Sequence, residues 1–298
     1  LPVHLGPHFV QVIKQKNGSI EVRIGGKPFT TQRFDRRIPD LWPLRNADGI
    51  AITRSWPRFE VAGERKDHPH HQSLWFCHGN VNGLDFWHSP SLSISPTQGT
   101  QIHSDQGQGW WQTQYVWRNE IGKVLAQENR RTTAFVSGKV RGLDFDLSIL
   151  GSAKELVFGD TKEGSFGVRV AGSMKVTAEK GGQIINSHGD TDVKAWGKQS
   201  PWVDYHGPVN GKQVGVAIMN HPSSFRYPTY WHVRTYGLFT ANPCGLHHFK
   251  GSNDVDGSHR MEKGETMQLR YRVLFHAGDE KQAGIAERFA EYAKSPKE

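Results

Sequence analysis

The 298-residue chain carries 37 Lys and Arg against 29 Asp and Glu, a formal charge of +8, with 36% hydrophobic residues. The charge lies in short, interrupted clusters such as Arg33–Arg37 and Glu128–Arg131 rather than in a basic stripe, so the chain does not read as a nucleic-acid binder. A mean hydropathy of -0.62, with no run of 18 apolar residues, excludes a helical membrane span.

In chain order, Val10–Ile13 and Ile20–Ile24 flank Asn17-Gly18, a hairpin signal, and Gly25-Gly26 marks the next turn. The stretch 92–109, rich in Ser, Gln, Gly and Thr, reads as a loop or edge hairpin, and so does 246–264. Strict alternation returns at Gly167–Val170, Gln213–Ile218 and Met267–Val273, the pattern of strands with one buried face. Helical spacing is confined to the C-terminus, where Asp279 precedes Ala283, Ala286, Phe289, Ala290 and Ala293. With 33 Gly and 15 Pro spread along the chain, no repeat and no linker, residues 1–298 read as one all-β domain. The expected fold is a large antiparallel β-sandwich with a C-terminal helix. Cys77 and Cys244 give no disulfide framework, and spacing leaves one bridge undecided. A start at Leu1 rather than Met fits either a mature product whose secretory signal has been removed or a trimmed chain; a secreted or periplasmic protein is the expectation.

Five segments carry residues suited to chemistry. The first, Asp67–Gly79, holds His68, His70, His71 and His78 beside Trp75. If extended, it projects His68 and His70 to one face, a spacing that could hold a divalent metal; without metal, the same imidazoles contact a ligand. Asn82-Gly83 then turns the chain toward Trp87, a side chain able to pack on the apolar face of a sugar ring. Glu163 precedes a strand that ends near Arg169, and a partly buried carboxylate there can act as general base or acid. Asp204, Tyr205 and His221 follow. In Tyr230–Pro243, His232 and Arg234 share one face of a strand, with Asn242 beyond, a set suited to a polyhydroxyl or anionic ligand. There is no nucleophile elbow, P-loop, dinucleotide fingerprint or His-Glu-x-x-His helix.

At these segments the sequence resembles a family of bacterial proteins labelled methane oxygenase PmoA-like. The resemblance runs from about Asp40 to Tyr292 and is most specific over Asp67–Trp87, Phe158–Val170 and His221–Pro243. Membrane methane oxygenase subunits have transmembrane helices, which this chain lacks in sequence, so the label does not describe its activity. The resemblance implies a galactose mutarotase-like supersandwich and a carbohydrate-processing role in a secreted bacterial system. It also implies that Cys77 and Cys244 are small packing residues.

The functional expectation is a carbohydrate-active enzyme using general acid/base chemistry, with a glycoside hydrolase preferred. Glu163, His70 and His232 are the expected catalytic groups. Expected ligand contacts are His68, His71, His78, Trp87, Arg169, Asp204, Tyr205, His221, Arg234 and Asn242. Hydrolysis requires two carboxylates, which Glu163 with Asp67 or Asp204 could supply. No cofactor is required on this reading. The alternatives are an epimerase or lyase using a divalent metal on His68 and His70, and a non-catalytic carbohydrate-binding protein. The expected partner is a small carbohydrate or oligosaccharide.

Overall fold

The structure, a computed structural model, describes residues 6–97, 99–151 and 155–296. One sheet runs in the order Phe9–Lys14, Ile20–Ile24, Lys27–Arg33, Asp40–Leu41, Leu74–His78, Gly164–Arg169, Leu238–Asn242 and Tyr230–Val233. The other runs Ser93–Pro96, Gln108–Arg118, Val124–Ser137, Val140–Gly151, Thr266–Ala277, Lys212–Asn220, Trp202–Val209 and Gln183–Asn186. The strand Gln101–Gln106 pairs with both Phe9–Lys14 and Gln108–Arg118, joining the sheets along one margin. All of these pairings are antiparallel, so the fold is the large antiparallel β-sandwich that the alternation predicts. The Asn17-Gly18 hairpin forms as expected, with Val12 opposite Val22 and Gly18 at φ +85°.

Period-2 alternation places the core. In Val140–Gly151, Leu143, Phe145, Leu147 and Ile149 are buried. Phe145 meets Phe166 of the facing sheet at 4.9 Å, and Phe166 stacks on Tyr271 at 4.6 Å. On the opposite face, Asp144 and Asp146 lie directly across from Arg272 and Arg270, with ion pairs of 2.7 and 2.6 Å. The helix Ile285–Tyr292 packs over this outer face, with Arg272 stacked 4.4 Å above the Tyr292 ring. Its inward stripe is buried Ile285 and Tyr292 with half-buried Phe289, while Ala286 and Ala290 are exposed, because large side chains decide which face is buried. Asp279 does not cap this helix. Its carboxylate accepts the N–H groups of Lys281 and Gln282 in the turn before it, and left-handed Gly284 (φ 64°) separates that turn from the helix.

The segment 92–109 supplies Ser93–Pro96 and the joining strand, as the edge-hairpin reading allows. The segment 246–264 instead holds a short helix, Leu246–Lys250, and the strand His259–Glu262 paired with Glu155–Phe158. Cys77 and Cys244 are both buried free thiols, and burial pushes each up to about 12. No helix of the described residues is long and apolar enough to cross a membrane. Leu1, on which the secretory reading leans, lies outside the described residues.

The sandwich interior also contains a buried ion pair. Glu128, facing inward, lies 2.6 Å from Arg130 and accepts the Trp117 indole N–H at 3.0 Å. Removing one partner of such a pair strands the other charge in a low-dielectric interior. Glu128→Ala is therefore expected to cost about 3–5 kcal/mol in urea unfolding, against less than about 1 kcal/mol for the more exposed Arg23→Ala. Equal effects for the two variants would contradict this reading of the core.

Candidate functional site

Strand register brings four site segments onto the outer face of the first sheet. Trp75 lies opposite Gly167, Gly167 opposite Thr240, and Thr240 opposite His232, a continuous row across four strands. Gly167 is needed there: a Cβ would sit 3.0 Å from the Trp75 ring and 3.1 Å from the Thr240 methyl. Arg169 lies two residues along on the same face, and Glu163 precedes the strand at its other end.

The histidine segment is a turn rather than an extended strand. The His71 N–H donates to the His68 carbonyl at 2.9 Å, with Pro69 at the second turn position and His68 left-handed at φ 43°. His68 and His70 therefore do not form the expected same-face pair; their rings lie edge-on, 5.6 Å apart. Instead, His68 stacks on His71 at 4.7 Å. His71 stacks on Trp75 and His68 on Tyr236, each at 5.7 Å, giving four nearly parallel rings. His70 and Trp87 pack against the His71 ring at steep angles. Arg37 fixes the Trp87 loop by donating to the Phe86 and Trp87 carbonyls, both at 2.7 Å.

Two buried guanidiniums hold this stack. Arg54 donates to the carbonyls of Arg65, Asp67, His68 and His71 and to the Asp67 carboxylate at 2.6 Å. Arg169 donates to the same carboxylate at 3.1 Å and to His71 Nδ1 at 2.9 Å. That bond makes His71 Nδ1 an acceptor and places its proton on Nε2. Burial is the largest influence on Arg169 and lowers it to about 10, so it stays cationic at neutrality. Asp67 itself is held below the usual carboxylate range: burial opposes this, but Arg169 and Arg54 outweigh it.

Glu163 and His232 form the other half of the cleft. The Glu163 carboxylate pairs with Lys162 at 2.8 Å and keeps about a quarter of its side-chain surface exposed. Burial would raise it, yet the Lys162 hydrogen bond and the charge interaction with His232 leave it lowered. The His232 Nδ1–H donates to the Lys162 carbonyl at 2.8 Å, which leaves Nε2 as an acceptor. Burial lowers His232 to about 4 and His70 to about 4, so both imidazoles are neutral at pH 7. Glu163 and His70 are within electrostatic reach of each other, as are Glu163 and Tyr236. Exposed Arg234 stacks near Trp196 and Tyr236 at 5.9 and 5.7 Å.

Thus His68, His70, His71, Trp87, Glu163, Arg169, His232 and Arg234 converge; His68, His70, Glu163 and Arg234 reach the surface, while His71, Trp87, Arg169 and His232 are buried behind them. The remaining expected contacts do not line the cleft. His78 is fully buried and spends both ring nitrogens on Ser165 Oγ (3.0 Å) and the Gly159 carbonyl (2.7 Å). Asn242 is buried and holds the Glu163 loop by donating to the Thr161 carbonyl at 2.8 Å. Tyr205 is buried beneath the cleft and donates to the Thr235 carbonyl at 3.0 Å, supporting the Arg234 turn. Asp204 and His221 belong to the outer face of the second sheet. Asp204 accepts from His206 and His276 at 2.7 Å each, and His221 sits between Arg270 and Tyr292. The half-turn between Asp204 and Tyr205 puts them on opposite faces of one strand.

His88 was missed in sequence. Its Nδ1 lies 2.8 Å from Asp85, which also accepts the backbone N–H groups of Trp87 and His88, and its ring meets His70 at 4.5 Å. The Asp85-to-His88 spacing within one turn is the signal that could have found it.

Residues 19–290 match the family described as "Family of unknown function (DUF6807)". The chain belongs to this family. The PmoA-like resemblance finds no support among the matches. No curated protein matches the DUF6807 chain. Among solved structures it is similar to the GH36 alpha-galactosidase AgaB of Geobacillus stearothermophilus, at 10% identity and a TM-score of 0.46 over 90% of this chain and 41% of that one. An alpha-galactosidase from Lactobacillus brevis matches at 8% identity and a TM-score of 0.46, over 94% of this chain and 41% of that one. A galactose mutarotase related enzyme from Lactobacillus acidophilus matches at 10% identity and a TM-score of 0.31, over 90% of this chain and 97% of that one. The DUF6807 chain spans about two fifths of the length of the alpha-galactosidases it matches.

Arg54→Met removes the donor shared by four carbonyls and Asp67, so a loss of about 3–5 kcal/mol in urea unfolding is expected. Amide exchange should accelerate first over residues 65–71. A second expectation concerns pH. His70, His78 and His232 lie at about 4 when folded, chiefly through burial, but near 6.5 when unfolded. Between those values the unfolded chain binds more protons, so stability should fall as pH drops from 6.5 toward 4. Thermal melts across that window, with NMR titration of the assigned imidazoles, check it; His70, His78 and His232 titrating near 6.5 in the folded protein would refute it.

Proposed function

We propose that this DUF6807 chain is a carbohydrate-active enzyme that transfers a proton at a sugar carbon, as an epimerase or lyase does, with Glu163 as the base. The observation that carries this reading is the isolation of Glu163. It is a partly exposed, ionised carboxylate beside neutral His70 and His232, with a lysine as its ion-pair partner. The other carboxylates around the cleft are committed. Asp67 neutralises two arginines, Asp85 orients His88, and Asp160 accepts His247 and backbone N–H groups.

A glycosidase needs two available carboxylates flanking the bond. Asp204, one of the two partners considered for Glu163, lies on the other sheet, and Asp67 is locked between guanidiniums. Hydrolysis therefore ranks below epimerisation or β-elimination, which need one base and one acid. A neutral imidazole suits a sugar, because His232 Nε2 is an acceptor for a hydroxyl, while Arg234 and Lys162 donate. Of the stacked rings, exposed His68 and half-buried Tyr236 offer faces to the ring carbons, while His71, Trp75 and Trp87 are buried and hold them in place. His88, oriented by Asp85, is the candidate proton donor. A secreted or periplasmic setting belongs to the same proposal.

The test is solvent exchange. Neutral, acidic and keto sugars incubated with the protein in D2O should include one that gains deuterium at a single carbon or, in an elimination, loses that C–H and forms a carbon–carbon double bond, both followed by NMR. Glu163→Gln should slow that exchange roughly 10²–10⁴-fold, with a melting temperature close to the parent's. Bond hydrolysis without deuterium uptake, unaffected by Glu163→Gln, would sink the proposal. Clear sugar binding without turnover or exchange would favour a binding protein instead.

A further inference from the structure

Beside Glu163 lies a second group of side chains that the proton-transfer reading does not use. One ligand-type atom from each of Asp160, His247 and His248 lies within 4.8 Å of the others. Asp160 Oδ1 is 2.6 Å from His247 Nδ1. Its other oxygen is held by the backbone N–H groups of His247 and Gly257, the second at 2.5 Å, which fixes the carboxylate's direction. The His247 and His248 rings lie 3.7 Å apart. His248 Nδ1 is buried and has no hydrogen-bond partner.

A buried imidazole nitrogen without a partner has lost water and gained nothing in return, and two imidazoles pressed together gain little from each other. A cation shared with Asp160 resolves both problems. We propose that Asp160, His247 and His248 bind a divalent transition-metal ion of the zinc class. One carboxylate and two neutral imidazoles are an N/O donor set that selects zinc or cobalt over magnesium and calcium. With bonds of about 2.0–2.2 Å a tetrahedral ion spaces its ligand atoms about 3.3 Å apart, so the Asp160–His247 pair opens slightly as the ion replaces the proton between them. The backbone N–H groups on the far carboxylate oxygen supply the outer-shell support that such ligands need. Three protein ligands leave a fourth position for water or a substrate oxygen, the arrangement of a reactive rather than a structural site. Asp160 lies three residues before the proposed base on the same loop, and His248 is within electrostatic reach of Glu163.

The group Asp204, His206 and Glu280 is equally compact. It carries no such proposal, because none of its ligand atoms is buried without a partner as His248 Nδ1 is. The metal site stands on its ligand geometry and does not depend on the reaction proposed for Glu163.

Full-length protein stripped with a chelator should take up one equivalent of Co²⁺ in calorimetry and show the visible band of four-coordinate cobalt. His248→Ala touches no hydrogen bond of the cluster and should weaken uptake roughly 100-fold or more, whereas His70→Ala should leave it intact. Should His248→Ala fail to fold, X-ray absorption of the zinc-loaded parent decides, with two imidazoles and oxygen expected. The absence of stoichiometric uptake, parent-like affinity in His248→Ala, loss in His70→Ala instead, or a single imidazole in the zinc shell would each overturn the proposal.

Discussion

Arg54 and Arg169 are almost completely removed from water, and the cost of desolvating two neighbouring guanidiniums shapes everything around them. Two like charges in one interior require a shared anion and a full set of acceptors. Asp67 is the anion, and the carbonyls of the 65–71 loop are the acceptors. A loop that could have been loose is consequently tied to the end of the strand Gly164–Arg169. His71 becomes part of the same network through Nδ1, which settles its tautomer and sets the plane on which His68, Trp75 and Tyr236 stack.

From that clamp follows the electrostatic character of the cleft. The positive charge next to the imidazoles adds to their burial, and both keep His71 neutral. His70 and His232 are neutral for the same principal reason, desolvation. Glu163 goes the opposite way because Lys162 and His232 offset its partial burial. One anionic carboxylate among neutral imidazoles differs from the paired carboxylates of a glycosidase, and it suits abstraction of a proton from carbon.

The outer face of the second sheet uses similar residues for another end. Asp204 links His206 to His276, while Arg270 and Arg272 pair with Asp146 and Asp144 beneath the C-terminal helix. Gly215 makes room for this linkage, since a Cβ there would lie 2.2 Å from the His276 ring. His206 is raised on balance: burial lowers it, but Asp204 and Glu280 more than compensate. Histidine and aspartate thus act as fasteners on one sheet and line a cleft on the other.

Alternation and turn residues determined the fold from sequence alone, because a strand that buries one face must repeat every second residue, and Asn17-Gly18 has few other uses. The same alternation put His232 and Arg234 on one face, and both approach Trp196 although Arg234 lies just past the strand's end. Local composition singled out the Asp67–Trp87 and Glu163 segments that do meet. What tertiary structure decided was which polar residues remain available. Sequence shows His78, Asn242 and Tyr205 as capable of binding as His70, yet burial and hydrogen bonds to distant carbonyls consume them. Asp204 and His221 fell on the far sheet, since strand order, which is not written in any one segment, assigns sheet and face. Arg54 carried no local signal at all, although its five acceptors come from the histidine loop. Asp160 and His247 likewise lie 87 residues apart and meet only through the fold. The reason is general: a side chain's chemistry is local, but the removal of water and the supply of partners that set its pKa and its availability come from contacts far along the chain.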